Sequence, residues 1–447
     1  MALTTFVLIL YLSIIALITL FSYRKVKNYH DFFNARKQGN TLTITGSLIA
    51  TILGGSAIIG AVNEGPKLGW ATSWYMLSAA IGLFALLPIA GKINKTGQFT
   101  LSGLLGDLYT PGVRRISSWI IATAWLGVIA AQMIAAARIL ESFTGMSYTY
   151  GVLCSGLVFI VYTLAGGQLS VLKTDFFQSI LILIGLAVMV VFSSKLKLPE
   201  TGTVIPQFPF NANFSPLDLV VLLFTYATTF TFGPDIYSRI FCAGSEKVAR
   251  RAVGIAATIL IPVALSIGFI SVVGSFYLPF SGSGSIFIDV SKAILPEWAV
   301  ALIVVSLLSA VLSSADTTIL TTSIILTELY ERNSFGNKTL SHSRFFIVLA
   351  GIISTIIALN FTSIIGILIT ALTVYSGAFI IPLIAGLWNI NINRNNLVRA
   401  MLCGGICALT GKIVFYTGAQ IAGNLIIIAS FLLNASLLFA RKKDNKI

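Results

Sequence analysis

The sequence is a succession of apolar runs, each about as long as a bilayer is thick. A helix needs roughly 20 apolar residues to cross a hydrocarbon core of about 30 Å. Thirteen such runs follow one another, over 5–23, 43–62, 70–90, 116–140, 147–165, 174–194, 216–233, 251–277, 298–328, 343–361, 363–387, 398–418 and 421–440. Only 10 % of the 447 residues are charged, against about 25 % in soluble domains, and the mean hydropathy is +0.93. A soluble chain of this composition has too little polar surface to cover itself, which excludes a soluble enzyme. Four cysteines in the whole chain build no disulfide framework. The pattern predicts an all-α polytopic membrane protein of thirteen transmembrane helices, with residues 1–447 forming a single transmembrane domain in a lipid bilayer.

A formal net charge of +14 would suit nucleic acid, but the charges follow the spans. With the N-terminus outside, inner loops hold most of the basic residues, among them Arg24, Lys25, Lys27, Arg36, Lys37, Lys92, Lys95, Arg114, Arg115, Arg239, Arg250, Arg251, Arg344, Arg441, Lys442, Lys443 and Lys446. The outer side keeps only Lys67, Lys195, Lys197 and Lys292, while Arg138 and Lys412 fall inside spans. This asymmetry predicts an N-out, C-in multi-pass protein of the plasma (inner) membrane, and no nucleic-acid partner. The first run lacks a basic leader and an Ala-x-Ala site, so it reads as a span. The loops are too short for an independent core, and no obligate protein partner is evident. Phosphate loops, Walker motifs and nucleophile elbows are absent, which points away from ATP-driven pumping and from enzymes.

Two spans depart from simple apolar helix. The second carries Gly54-Gly55 at mid-depth, where adjacent glycines weaken a helix by about 1 kcal/mol each. Unwinding around a cavity and close packing of small residues are both open readings. The seventh holds Thr225, Thr228, Thr229 and Thr231 and ends in Gly233-Pro234-Asp235, so one helical hydrogen bond is lost. Interrupted helices five spans apart suggest two inverted five-span halves with a site at the midplane.

The ninth span reads Ala310-Val-Leu-Ser313-Ser314-Ala-Asp316-Thr317-Thr318. At 100° per residue Ala310, Ser313, Ser314 and Thr317 share a face, with Asp316 on its flank. Hydroxyls and a carboxylate are hard oxygen ligands for an alkali or alkaline-earth cation. Membrane serines also bond the carbonyl one turn back, but a carboxylate at this depth marks a functional site. Asp175 opens the sixth run, either as a second such acid or as part of a helix N-cap. Arg138 and Glu141, three apart, read as a structural pair or as substrate ligands. Lys412 reads as snorkelling to the interface. Two histidines and four cysteines show no metal-ligand spacing.

Tyr162-Thr163-x-x-Gly166-Gly167-x-x-x-Val171-x-x-Thr174-Asp175-x-x-Gln178 resembles a signature of the sodium:solute symporter family. Asp31-Phe-Phe-Asn-Ala-Arg36, the Ala137–Tyr148 stretch and Ser313-Ser314-x-Asp316 resemble further segments of that family, the second of them especially in its sodium/proline symporters. The resemblance implies a leucine-transporter-type fold with a leading extra span (1–23), two inverted repeats (43–194, spans 2–6, and 216–387, spans 7–11) and two C-terminal spans (398–440). It implies a primary Na⁺ held by backbone carbonyls of Ala50, Leu53 and Ala310 and hydroxyls of Ser313 and Ser314. Some members have a further sodium site, which here falls on Asp175, Asp316 and Thr317 and would take a second Na⁺ or share a proton. The substrate would lie near Gly54, Ser56, Ala57, Tyr226, Thr229 and Phe230.

Two departures bear on specificity. The proline symporters carry an aspartate where this chain has Thr51-Ile52-Leu53, and Gly-Gln-Pro where it has Phe232-Gly233-Pro234. Too few Asn, Gln and Glu are present at the site for sugar recognition. The expected activity is Na⁺-coupled uptake of a small zwitterionic or anionic solute, amino-acid-like as proline is. Proton coupling through Asp175 and Asp316 is the alternative, followed by a solute sensor that does not transport.

Overall fold

The computed structural model describes residues 2–24, 26–196, 207–277, 285–332 and 334–440. Lys25, Lys197 and the basic residues after 440, all used in the charge argument, lie outside the described residues.

In chain order the helices are α1 (Ala2–Tyr23), α2 (Tyr29–Asn34), α3 (Thr41–Ile52), α4 (Gly55–Asn63), α5 (Gly65–Leu68), α6 (Ser73–Lys95), α7 (Leu101–Leu108), α8 (Pro111–Thr144), α9 (Tyr148–Gly166) and α10 (Gln168–Ser193). After a gap follow α11 (Pro216–Leu222), α12 (Thr228–Phe232), α13 (Pro234–Cys242), α14 (Glu246–Tyr277), α15 (Ile286–Ile294), α16 (Glu297–Glu331), α17 (Thr339–Asn360), α18 (Ile364–Leu387), α19 (Leu397–Tyr416) and α20 (Gln420–Phe439). A π-helical stretch, Leu223–Ala227, joins α11 to α12.

Among the described residues, eleven helices are long and apolar enough to cross a membrane, or twelve if α3 and α4 count as one bent span. The thirteenth expected span falls on α1. α1 itself is an apolar helix of 22 residues, about the length a crossing needs. The seventh run extends beyond its expected end at Gly233, continuing past the break as α13. Residues read from the sequence as loop, Arg239 among them, thus lie in a helix.

Helix ends follow local chemistry. Asn40 caps α3 in a reciprocal box with Thr43, and Thr110 caps α8 ahead of Pro111 at its first position. Between α9 and α10, Gly167 takes φ +78°, and a Cβ there would come 2.6 Å from the Phe32 ring. Only glycine meets both conditions.

α16 lies at the centre, packed on α1, α3, α8, α10 and α17. Peripheral helices turn apolar side chains outward, including Phe6, Leu17, Trp119, Leu157, Phe345, Ile406 and Leu432. An apolar surface of that extent is stable against lipid.

Candidate ion and solute site

Both interrupted spans break beside α16. α3 ends at Ile52, Leu53 leaves the helical region with φ −83° and ψ 48°, and α4 resumes at Gly55 after a 41° bend. Packing and unwinding meet at the same glycines. A Cβ on Gly54 would lie 2.5 Å from Ser314 Oγ and 2.9 Å from Gln132 Nε2, and one on Gly55 2.0 Å from Val311. In the other span Gly233 adopts an extended conformation before Pro234 starts α13. The Phe232 carbonyl at that break accepts a 2.7 Å hydrogen bond from the Tyr375 hydroxyl on α18. Thr225 and Thr229 donate to carbonyls one turn back, the ordinary behaviour of membrane threonines.

Between the breaks is a cavity of about 50 Å³. Gly54, Ser56, Ala57, Tyr226, Thr229 and Phe230 all line it, as do Gln132, Asp235, Trp125 and Ser314. Gln132 Nε2 donates to Ser56 Oγ at 2.7 Å, and its Oε1 accepts from the Ser56 N–H at 3.3 Å. Trp125 Nε1 donates to Asp235 Oδ2 at 2.7 Å, while Oδ1 of the same carboxylate has no hydrogen-bond partner. Tyr75, Tyr226 and Phe230 form an aromatic cluster at one side, with centroids 6.0 Å apart for the first pair and 5.0 Å for the second.

Next to the cavity, α16 meets the end of α3. Ser313 Oγ donates to the Ala50 carbonyl at 2.9 Å and the Ala310 carbonyl at 3.1 Å. Ser314 Oγ donates to the Ala50 carbonyl at 3.3 Å and the Thr51 carbonyl at 2.9 Å. Four of the five residues expected at a primary Na⁺ position are thereby brought together, with Leu53 at the adjoining break. A bound cation would replace the hydroxyl protons as the positive partner of those carbonyls. The donor set is neutral and all oxygen, as an alkali ion requires.

One turn away, two of the three residues expected at a second ion, Asp175 and Thr317, bond a guanidinium. Asp175 sits well inside α10 rather than at its cap. Its Oδ2 accepts from Ser47 Oγ at 2.5 Å and from Arg239 Nη2 at 3.1 Å. Arg239 also donates to Thr317 Oγ1, and to Gln168 Oε1 at 2.5 Å. Arg239 and Asp175 are both fully buried. Asp316 is buried too, but neither of its oxygens has a hydrogen-bond partner.

Two further polar residues receive places. Arg138 pairs with Glu141 at 2.8 Å. Lys412, expected to snorkel, is instead 7 % exposed, its ammonium 4.2 Å from the Phe415 ring centroid, in a pocket shared with Glu64 and Asp218. The carboxylates of Glu64 and Asp218 offset part of the cost of burying its charge. Among the described residues no group of His, Cys, Asp and Glu is arranged to hold a metal through those side chains.

The model of the sodium:solute symporter family matches residues 32–406. The chain belongs to the sodium:solute symporter family. The family is one of symporters. A Staphylococcus aureus (strain Newman) sodium/proline symporter is 26 % identical over 316 residues, which cover 66 % of this chain and 61 % of that relative. The match thus spans less than two thirds of the relative's length. A Na⁺-coupled sialic acid symporter, described in a substrate-bound outward-open state with a novel Na⁺ site, superposes with a TM-score of 0.78 at 18 % identity, over 100 % of this chain and 99 % of that one. A manganese transporter of Eremococcus coleocola follows with a TM-score of 0.59 at 14 % identity, over 89 % and 94 %. A nucleobase-cation-symport-1 family transporter has a TM-score of 0.58 at 15 % identity, over 92 % and 96 %. These likenesses establish a shared fold.

The family signatures acquire physical meaning here. Gly167 lets the Phe32 ring of the Asp31–Arg36 segment approach, and Gln168 and Asp175 supply acceptors to Arg239. The loop after that segment docks on the end of α13, with Gly39 N–H donating to the Cys242 carbonyl at 3.0 Å. Sequence reasoning missed Gln132, Trp125, Asp235 and Arg239. One signal was available for Arg239, because a carboxylate as deep as Asp175 calls for a cationic partner.

Proposed function

We propose that the chain is a secondary active transporter that couples inward Na⁺ movement to uptake of a small zwitterionic solute by alternating access. Its N-terminus would lie outside, in the plasma membrane, and 43–194 and 216–387 would be inverted halves. The observation that carries the reading is that Ser314 belongs to both the oxygen cluster and the cavity wall. An ion that reorients the Ser314 hydroxyl and draws in the Ala50 and Ala310 carbonyls alters the surface a solute meets. Binding of one then changes the affinity for the other by the same factor in either order.

The cavity suits opposite charges at its two ends. α4 begins at its wall, so the positive helix end would face a carboxylate. Asp235, with one oxygen free, faces a cationic amine. Proline and similar amino acids fit this chemistry, and the 26 % identical proline symporter lends it support. A cavity of about 50 Å³ has room for only a few waters. Admitting a solute therefore requires movement of the aromatic cluster, as alternating access demands.

Uptake of radiolabelled L-proline and a panel of other amino acids into proteoliposomes tests the proposal. Accumulation should depend on an inward Na⁺ gradient and vanish when choline replaces Na⁺ at fixed pH. Accumulation that survives choline and follows a proton gradient would overturn Na⁺ coupling in favour of protons carried by Asp175 and Asp316.

A further inference from the structure

Resting on the Na⁺-coupled reading above, we propose that the Arg239 guanidinium is the resident cation of the second ion position, so that no second Na⁺ binds between Asp175 and Thr317. The position is defined by repetition along two helices. Ala50 on α3 faces Ser313 on α16; one turn back on α3 lies Ser47, and one turn on along α16 lies Thr317. Ser47 and Arg239 share Asp175 Oδ2, while Thr317 is reached by the same Nη2 that reaches Asp175. The sequence alone offers this cluster to a sodium ion or a proton, but α13 inserts a permanent positive charge into it.

Three properties make that charge hard to displace. Guanidinium remains protonated at any accessible pH, so it cannot leave as a neutral group. Its planar fork engages three acceptors on two helices, Gln168 and Asp175 on α10 and Thr317 on α16. Both members of the ion pair are fully buried, so a Na⁺ taking the Asp175 oxygens would strand a desolvated arginine. Arg239 balances the charge of Asp175 and so weakens the attraction for a second ion, while Asp175 Oδ1 has no hydrogen-bond partner. Gln168 adds a neutral acceptor that fits an N–H donor. Asp316 and, one turn back on α13, Asp235 are the other carboxylates nearby, and neither makes a hydrogen bond to the guanidinium.

The placement also gives Arg239 a mechanical role. It rides on α13, beyond the Gly233-Pro234 break, whereas its acceptors sit on α10 and α16. The ion pair is therefore a tether between the second half of a broken span and the helix that carries Ser313 and Ser314.

Equilibrium binding of radiolabelled Na⁺ to the purified full-length protein in lipid nanodiscs tests the proposal by counting ions per chain. Arg239→Gln should gain one Na⁺ over the unmodified protein, and adding Asp175→Asn should remove that gain. Asp175→Asn alone and Arg239→Lys should leave the count unchanged. Because the readout is a difference from the unmodified protein, it holds whether or not the Ser313 and Ser314 position binds an ion. Loss of one ion in Ser313→Ala/Ser314→Ala reports on that position separately. A count of two in the unmodified protein, or a folded Arg239→Gln with no gain, would overturn the assignment. If Arg239→Gln fails to fold, Asp175→Asn decides: an unchanged count supports the resident arginine, and loss of one ion overturns it.

Discussion

Two clusters of oxygen lie one helical turn apart between α3 and α16, and they have opposite electrical character. The first, around Ser313 and Ser314, contains only hydroxyls and carbonyls. The second is built on a buried carboxylate, Asp175, and is closed by a buried guanidinium. A neutral cluster satisfies itself with weak internal hydrogen bonds, so an ion can come and go at modest cost. A charged cluster in a low-dielectric interior cannot stand open, because an unpaired buried charge is strongly destabilising. The contrast teaches that acidity at depth is not by itself a sign of ion transport. Here the dipole cluster suits a travelling cation, and the carboxylate a cation that stays.

The largest effect that would break this contrast falls on the charged cluster. Arg239→Gln leaves Asp175 buried without its partner, and should cost about 3–5 kcal/mol of stability. Adding Asp175→Asn should recover most of it, as read by thermal unfolding in lipid nanodiscs. No recovery in the double variant would mean that Arg239 stabilises the fold through its other contacts.

For the neutral cluster the effect should appear in ion affinity while the fold persists. Losing two hydroxyl ligands, each worth about 1.5 kcal/mol toward a charge, should raise the Na⁺ half-saturation of uptake about 100-fold in Ser313→Ala/Ser314→Ala. An unchanged half-saturation would show that the oxygens serve only the helix contact.

Gly54→Val probes the boundary between cluster and cavity. Its side chain would begin 2.5 Å from Ser314 Oγ, and overpacking of that kind costs about 1–3 kcal/mol. It should abolish the thermal stabilisation that Na⁺ and solute give together. Retained stabilisation would assign the glycine to packing alone.

The smallest expected effect concerns the solute only. Asp235→Asn keeps an acceptor for Trp125 but removes the charge, and should weaken solute affinity about tenfold, or roughly 1.4 kcal/mol. The Na⁺ half-saturation at saturating solute should stay within about twofold. A shift of both constants together would place Asp235 in the ion machinery rather than at the solute.

Much of this site was legible because its parts are local. Gly54 and Gly233-Pro234 weaken a helix wherever they occur in one, and both breaks are where those residues stand. The serine face of α16 follows from helical periodicity, and the six residues expected at the solute all line one cavity. Lys412 misled because snorkelling assumes lipid around a helix, whereas α19 turns this lysine into a protein pocket with Glu64 and Asp218.

By itself the sequence determined the environment, the approximate spans, the two breaks and the oxygen-bearing face, since hydropathy, helix propensity and periodicity are properties of neighbours along the chain. Only the tertiary structure decided which cation answers Asp175. Arg239 lies 64 residues from that carboxylate and 78 from Thr317, and Ser47 lies 128 residues from Asp175. Nothing in the intervening sequence links them. They meet because the Gly233-Pro234 break lets α13 continue into the bundle beside α10 and α16, and a desolvated charge there is stable only where its partner is already in place.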